Sequence, residues 1–190
     1  MIYRFMFAAY STDPRKVELV EGTADYCALA FDENRVYLYV ESNDSAVQPE
    51  NLVRGEFIQY PNGKEWERTS EIFHYSVPVS QEQWRRKVDK TPRIRLNRLK
   101  PEKIASYIFY HFQLQEENLG WNDRYGNIYL WGDVLIFYDE LPQEDETEKM
   151  QGQLTTQNSP KKIWAELMNE HFQERWRPIE ILQQNQYIEY

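Results

Sequence analysis

The sequence predicts an α+β protein built on a mainly antiparallel sheet of hairpins, with two or three helices packed against it. Segments with strand-like alternation outnumber segments with helical periodicity. The connections between the strands are short polar turns, which suit hairpins rather than helical crossovers. Hydrophobic residues make up 41% of the 190 residues, which is enough to build a core.

The predicted strands cover most of the first 140 residues. They lie at 2–10, 25–31, 35–42, 52–60, 64–70, 71–77, 93–99 and 127–140. Turns separate several of them, at residues 32–34, at Asn62-Gly63 and at Gly132-Asp133. Asn-Gly is the strongest of these turn signals, because both residues tolerate a positive φ. The 127–140 hairpin is apolar on both faces, so we expect both faces to be covered.

Helical signals occur in four places. The first is a short helix that Asp13 caps, with Pro14 at its first position and Gly22 at its end. The clearest helix covers 101–118 and begins at Pro101, since proline suits the first position of a helix. Ser80 and Gln83 form a capping box that opens a short helix. The last helix is predicted at 160–176, where apolar residues recur with helical spacing.

Composition suggests three segments along the chain. Residues 1–141 read as an α+β core domain, and residues 139–148 contain six acidic and no basic side chains. The stretch at 142–158 lacks hydrophobic periodicity and is predicted to be an acidic and polar, mobile linker. Residues 159–190 then form a C-terminal helix and tail.

The overall charge and cysteine content restrict the class of protein. The formal net charge is −9, which opposes bulk binding to nucleic acid. The single cysteine, Cys27, excludes an internal disulfide framework and favours a reducing cytoplasm. No run of residues approaches the ~18 apolar side chains of a membrane span, so no membrane association is expected.

One segment, 84–103, contrasts with this acidity. It holds nine Lys or Arg residues against Asp89 and Glu102, a local charge of +7. Three roles are open for it. The first role is docking on the acidic surface of its own chain, for instance at 139–148. The second is contact with a protein partner or a second copy. The third is binding of a small anion, a nucleotide or an RNA strand.

The anion or partner site, if present, would use side chains of known chemistry. Arg93 and Arg95 lie on one face of the predicted strand 93–99, and guanidinium groups bind phosphate and carboxylate oxygens in pairs. Arg98 lies close by in sequence, and Trp84 and Tyr107 are available for stacking on a base or an aromatic ligand.

The three histidines are candidates for proton transfer rather than for metal binding. His111 and His171 fall on apolar helix faces, and His74 lies on a strand. Their spacing matches no metal motif, so no metal or other cofactor is predicted. His111 or His74 could act as an acid or base, because histidine titrates near neutral pH.

The sequence therefore leaves three functional hypotheses. The first is a non-catalytic binding or assembly protein, which uses its aromatic surface and segment 84–103; it is supported by 14 Tyr, 9 Phe and 6 Trp. The second is an enzyme on a small phosphorylated or carboxylated substrate, with an arginine clamp and a histidine acid or base. The third is single-stranded nucleic-acid binding, which the net charge opposes. A deep pocket that combines Tyr107, His111 and an arginine would favour the enzyme.

Overall fold

The computed structural model describes residues 1–20, 24–116, 124–143 and 163–185. The strands are β1 (Tyr3–Ser11), β2 (Glu18–Leu19), β3 (Tyr26–Asp32), β4 (Arg35–Ser42), β5 (Val53–Arg54), β6 (Phe57–Ile58), β7 (Trp66–Arg68), β8 (Ser70–His74), β9 (Thr91–Arg98), β10 (Asn127–Trp131), β11 (Val134–Leu141), β12 (Arg177–Pro178) and β13 (Glu180–Gln184). The α-helices are α1 (Gln81–Trp84), α2 (Ile104–Glu116) and α3 (Trp164–Asn169), and 3-10 turns occur at Pro14–Lys16, Pro49–Asn51 and Pro101–Lys103. This arrangement confirms the predicted fold class.

The chain forms two units, each with its own sheet. The first unit comprises Met1–Ser70, Pro78–Ile94 and Ile179–Tyr190, and the second comprises Glu71–Val77 and Arg95–Pro178. In the first unit the strand order is β13-β3-β4-β1-β6, and β7 also pairs with β1. Alternate residues of β1, including Phe5, Phe7 and Ala9, enter its hydrophobic core. The intervening residues Met6 and Ala8 are also buried, so both faces of this strand are covered.

The sheet of the second unit has the order β12-β9-β11-β10-β8. Helices α2 and α3 cover one face of it. The core there joins Tyr107, Leu114 and Met168 of the helices to Ile128 and Leu135 of the strands. These contacts place the helices and the strands on two sides of one apolar layer, which is where the candidate site lies.

The two units share one strand order. In the second unit the chain runs β9-α2-β10-β11-α3-β12, and the sheet order of these strands is fourth-first-third-second. This is the split β-α-β arrangement of ferredoxin-like folds. In the first unit, β1, β3 and β4 correspond to the first, second and third strands of this arrangement. Strands β6 and β7, which both pair with β1, correspond to the fourth. No sequence repeat accompanies this repeat of topology.

The predicted hairpins are present, with one difference. The pairs β3–β4 and β10–β11 turn at residues 33–34 and 132–133, and each register closes on the predicted turn. The turn at Asn62-Gly63 also forms, but its flanking strands β6 and β7 both pair with β1 rather than with each other. The long, apolar β1 offers free backbone groups to both segments, so the local hairpin is replaced by two non-local pairings.

The predicted helices differ mainly at their ends. Helix α2 follows the turn at Pro101 and reaches Glu116, the last described residue before the gap. Helix α3 ends at Asn169, earlier than predicted. The residues that follow pair with the end of β9 instead. Phe172 forms a β-bridge with Leu99, and the backbone N–H of Gln173 donates to the backbone carbonyl of Arg98 at 2.8 Å. Tertiary pairing thus ends this helix.

The predicted linker, 142–158, lies outside the described residues from residue 144 onward, so its boundaries stay a prediction. Of the predicted C-terminal segment, the part up to Pro178 belongs to the second unit and the rest to the first. No helix in the described ranges is both long enough and apolar enough to cross a lipid bilayer.

Candidate functional site: an aromatic cavity in the second unit

A cavity of about 280 Å³ lies between the helices and the sheet of the second unit. Arg95 on β9, Ile128 on β10 and Phe137 on β11 form its floor, and α2 and α3 supply the facing wall. Its volume is near the lower end of the ~300–1,000 Å³ that small-molecule sites occupy. The cavity can therefore accept a compact ligand.

Aromatic side chains form most of the cavity wall. They are Phe73, Tyr75, Tyr107, Phe137, Trp164, Phe172 and Trp176. Several meet edge to face, for example Phe73 and Tyr75, whose ring centroids are 4.9 Å apart at 88°. Such rings present both faces and edges to a guest, and they favour a planar, polarisable one.

His111 is a buried polar residue of the helical wall and is only 4% exposed. Its Nδ1 lies 2.9 Å from the carbonyl oxygen of Tyr107. A carbonyl can only accept, so Nδ1 carries the hydrogen and, in the neutral ring, Nε2 is an acceptor. Burial, with a smaller contribution from the charge of His171, lowers the pKa of His111 to about 4. At neutral pH this ring is uncharged.

Tyr107 fixes the position of His111 by stacking as well as by its carbonyl. The two rings lie 4.0 Å apart between centroids, at 34°. Helical spacing of four residues places them on the same face of α2. Burial raises the pKa of the Tyr107 phenol well above its usual range, so its hydroxyl stays protonated and cannot serve as an anionic base.

Arg95 supplies the positive charge of the cavity floor. Its Nη2 donates to Oδ2 of Asp139 at 2.9 Å, and the side chains of these residues are 26% and 0% exposed. Its guanidinium carbon lies 4.3 Å from the centre of the Phe137 ring. The buried carboxylate and the ring together hold the guanidinium in one orientation, while part of it remains open to the cavity.

The other two histidines lie outside the cavity lining. His171 faces Tyr107 with 5.9 Å between ring centroids, and its Nδ1 and Nε2 lie 2.8 Å from the Leu167 carbonyl and 2.9 Å from Oγ of Ser106. His74 pairs with Glu71 at 2.8 Å. Within the described ranges, no three His, Cys, Asp or Glu side chains are grouped in a way that could hold a metal.

Within the second unit, the positive charge of the basic segment largely meets carboxylates of the same chain. Besides Arg95 and Asp139, Arg98 pairs with Asp133 at 3.5 Å, and Lys103 pairs with Glu170 at 3.7 Å. Arg95 thus contacts one of the acidic residues at 139–148 that the sequence suggested as its partner. Of the predicted arginines, only Arg95 lines the cavity.

Within the first unit, the predicted stacking residue Trp84 is fully buried, and the guanidinium of Arg4 lies 5.3 Å from its ring. A base could stack on Trp84 only if this packing were undone. Arg93 is half-buried and engaged in an interaction within the chain. Arg85 and Lys87 stay exposed.

Sequence reasoning identified Tyr107, His111 and Arg95 separately, and the structure brings them together around one cavity. It missed the burial of Asp139, because the acidic run 139–148 suggested an exposed surface, whereas this residue is 0% exposed. The alternation of β11 carries a signal for this, because Phe137 and Asp139 share a face with the core residue Leu135. Glu140 is also buried, at 1% exposed, and accepts a 2.5 Å hydrogen bond from Tyr138.

The fold and the cavity define an α+β protein with a small aromatic-lined site. No family description matches the sequence, and no curated protein is significantly similar to it. Two solved structures resemble the chain. One, from Fusobacterium nucleatum, is described as a "Putative monooxygenase"; it has 9% identity and a TM-score of 0.42, over 100% of this chain and 96% of its own. The other is an anthrone oxidase-like protein, with 9% identity and a TM-score of 0.39 over 97% and 96%. Both similarities are too distant to indicate a shared activity.

Proposed function

We propose that the second unit binds a small aromatic molecule in the cavity. The observation that carries the proposal is that Arg95, Tyr107 and His111 line one cavity whose other walls are mainly rings. A site of this kind gains affinity from apolar and aromatic contact and gains orientation from a few fixed polar groups. The cavity has both components.

The charge balance of the cavity narrows the ligand. Arg95 is already paired with Asp139, and His111 is neutral above a pH of about 4. The cavity therefore offers no net positive charge against a phosphate dianion, which would lose its hydration without full compensation. A neutral molecule or a monoanion such as a carboxylate fits better, so the carboxylated form of the enzyme hypothesis is favoured over the phosphorylated form.

Catalysis remains a narrower form of the same proposal. In it, Arg95 holds the carboxylate or carbonyl of a substrate and His111 accepts a proton. A histidine with a pKa of about 4 is uncharged and available at neutral pH, yet it is a weak base when its pKa lies so far below the working pH. Ligand binding is accordingly the function proposed first, and turnover is tested once a ligand is known.

A blocking variant tests the binding proposal. Ala165 lines the cavity from α3 and is exposed, so Ala165→Trp should fill the entrance and reduce binding of aromatic probes such as naphthalene carboxylates at least about 10-fold. Ala105, exposed on α2 and absent from the lining, provides the matched control Ala105→Trp, which should bind normally. Titration calorimetry with a panel of aromatic probes measures both. If no probe binds the unsubstituted protein saturably, the proposal is wrong.

Self-association is a second proposal, favoured by the outer face of α2. Phe109 and Phe112 are 60% and 55% exposed. Large apolar side chains that are exposed side by side commonly mark an interface. The helix has no charged residue from 104 to 115. A second copy could therefore pack its identical helix face here without opposing like charges, in a two-fold contact.

Light scattering after size-exclusion chromatography tests this second proposal. The double variant Phe109→Ser with Phe112→Ser should shift a dimer to a monomer. Ile163→Ser, at an equally exposed apolar residue outside α2, should leave the mass unchanged. A monomer for the unsubstituted protein at all concentrations and salt levels would remove the proposal.

A further inference from the structure

We infer that the cavity recognises its ligand at two points, so that the ligand is a hydroxyaryl carboxylic acid or ketone: its carboxylate or carbonyl oxygen accepts from Arg95, and its hydroxyl donates to Nε2 of His111. This inference rests on the proposed function, because it specifies the ligand of the same cavity. It follows from what each polar group can and cannot do in its present contacts.

His111 requires a donor. Its Nδ1–H is committed to the Tyr107 carbonyl, which leaves the lone pair of Nε2 as the remaining bonding position of the ring. Among the described residues, the imidazole has no hydrogen-bond partner other than that carbonyl. An acceptor enclosed by rings is costly to leave unpaired. A ligand hydroxyl would pair with it.

Arg95 requires an acceptor. A guanidinium carries only hydrogen-bond donors, and Nη2 of Arg95 donates to Asp139. Because the Asp139 carboxylate is fully buried, it restrains Arg95 without reaching into the cavity. A ligand ammonium would be repelled at this position, whereas a carboxylate or carbonyl oxygen would be bound.

The two groups lie on opposite sides of the cavity. Arg95 comes from β9 in the sheet, and His111 comes from α2, which covers that sheet. A single ligand that reaches both must carry its acceptor and its hydroxyl at different ends of a rigid frame. Rings such as Trp164, whose centroid lies 4.8 Å from that of His111 at 73°, favour an aromatic frame.

A matched ligand series tests the inference on the unsubstituted protein by titration calorimetry. The probes are 2-naphthoate, which offers only the acceptor, 2-naphthol, which offers only the hydroxyl, and the 5-, 6- and 7-hydroxy isomers of 2-naphthoate, which carry both groups on different rings at different spacings. At least one hydroxynaphthoate should bind about 10-fold more tightly than both single-function probes, as one added hydrogen bond in a buried site allows.

Variants then assign each half of the recognition. Arg95→Gln should remove the gain in affinity that the carboxylate provides and keep the gain that the hydroxyl provides. His111→Phe should remove the gain from the hydroxyl and keep the gain from the carboxylate. Arg98→Gln and His74→Gln are the matched controls. Arg98 shares strand β9 with Arg95, and neither Arg98 nor His74 lines the cavity. Both controls should leave the order of affinities unchanged.

The outcomes separate this inference from the proposed function. If naphthoate, naphthol and all three hydroxynaphthoates bind with similar affinity, two-point recognition is overturned, while aromatic binding stands. If none of them binds, the proposed function itself fails. The ligand series on the unsubstituted protein decides between these results even if a variant does not fold.

Discussion

Arg86 donates two hydrogen bonds to Glu41, at 3.0 and 3.1 Å, inside the first unit. The two side chains are 7% and 0% exposed, Tyr39 donates to the same carboxylate at 2.9 Å, and the guanidinium lies 3.8 Å from the centre of the Tyr26 ring. Arg86 belongs to the basic segment that distinguished the sequence. Here its charge stabilises a buried acid.

Loss of Arg86 should therefore destabilise the fold. Arg86→Met leaves the Glu41 carboxylate buried without its cation, and we expect the free energy of unfolding to fall by roughly 3–5 kcal/mol. Urea denaturation measures this. Arg85→Met, at the exposed neighbouring arginine, should change stability by less than about 0.5 kcal/mol. Equal effects of the two substitutions would contradict the assigned role.

The buried His111 should make stability depend on pH. Its pKa falls from 6.5 to about 4 on folding, so the unfolded chain binds more protons between these values. The contribution is fully present above about pH 6.5 and is lost as the pH falls towards 4. It amounts to about 2 kcal/mol between pH 7 and pH 5. A comparison between variants isolates this contribution.

Denaturation of His111→Gln at pH 7 and at pH 5 provides that comparison. This variant should lose about 2 kcal/mol less than the unsubstituted protein over that interval, while Ala105→Gln, at an exposed position of the same helix, should keep the original slope. An unchanged slope in His111→Gln would show that the ring is not held neutral by burial.

Cys27 should be chemically inert in the folded protein. Burial, with the charges of Glu41 and Asp25, raises the pKa of its thiol to about 12, and the residue is 1% exposed. The thiolate is the reactive form, so a thiol reagent at pH 8 should label the native protein at least about 100-fold more slowly than the protein in guanidinium chloride. Rapid labelling of the native protein would contradict the assigned burial of the thiol.

Two glycines should respond to substitution for different reasons. Gly132 has φ +61 and open space around it, so Gly132→Ala should cost about 1 kcal/mol from backbone strain alone, and Gly132→Asn less. At Gly55 an added Cβ would lie 2.9 Å from Cγ2 of Val17, so alanine is opposed there by a steric clash. Thermal denaturation of the three variants tests this, and equal stability of Gly132→Ala and Gly132→Asn would contradict the strain argument.

Local patterns in the sequence predicted much of the fold. The turn at Gly132-Asp133 and the alternation around it predicted the hairpin of β10 and β11, and Pro101 predicted the start of the long helix. Such features depend on neighbours within a few residues, whose backbone preferences and side-chain spacing are visible in the sequence. The same reasoning failed for 52–60, where a distant strand offered better hydrogen-bonding partners.

The candidate site was predicted only in parts. Arg95 and His111 were identified as candidates by side-chain chemistry, yet nothing in their spacing indicates that they line the same cavity. Asp139 was expected at the surface because its neighbours in sequence are acidic. Its burial follows from the face of β11 on which it lies and from the pairing of β11 with β9.

The sequence by itself determined the α+β class, most strands and turns, and the chemical types of the site residues, because these depend on short-range periodicity and intrinsic side-chain properties. Only the tertiary structure decided that two units repeat one strand order, that the charges of Arg86 and Arg95 meet buried carboxylates, and that Arg95 faces His111 across an aromatic cavity. The side-chain relationships among these join residues 16 to 45 positions apart. Long-range packing, which no local pattern encodes, selects among the pairings that such residues could make.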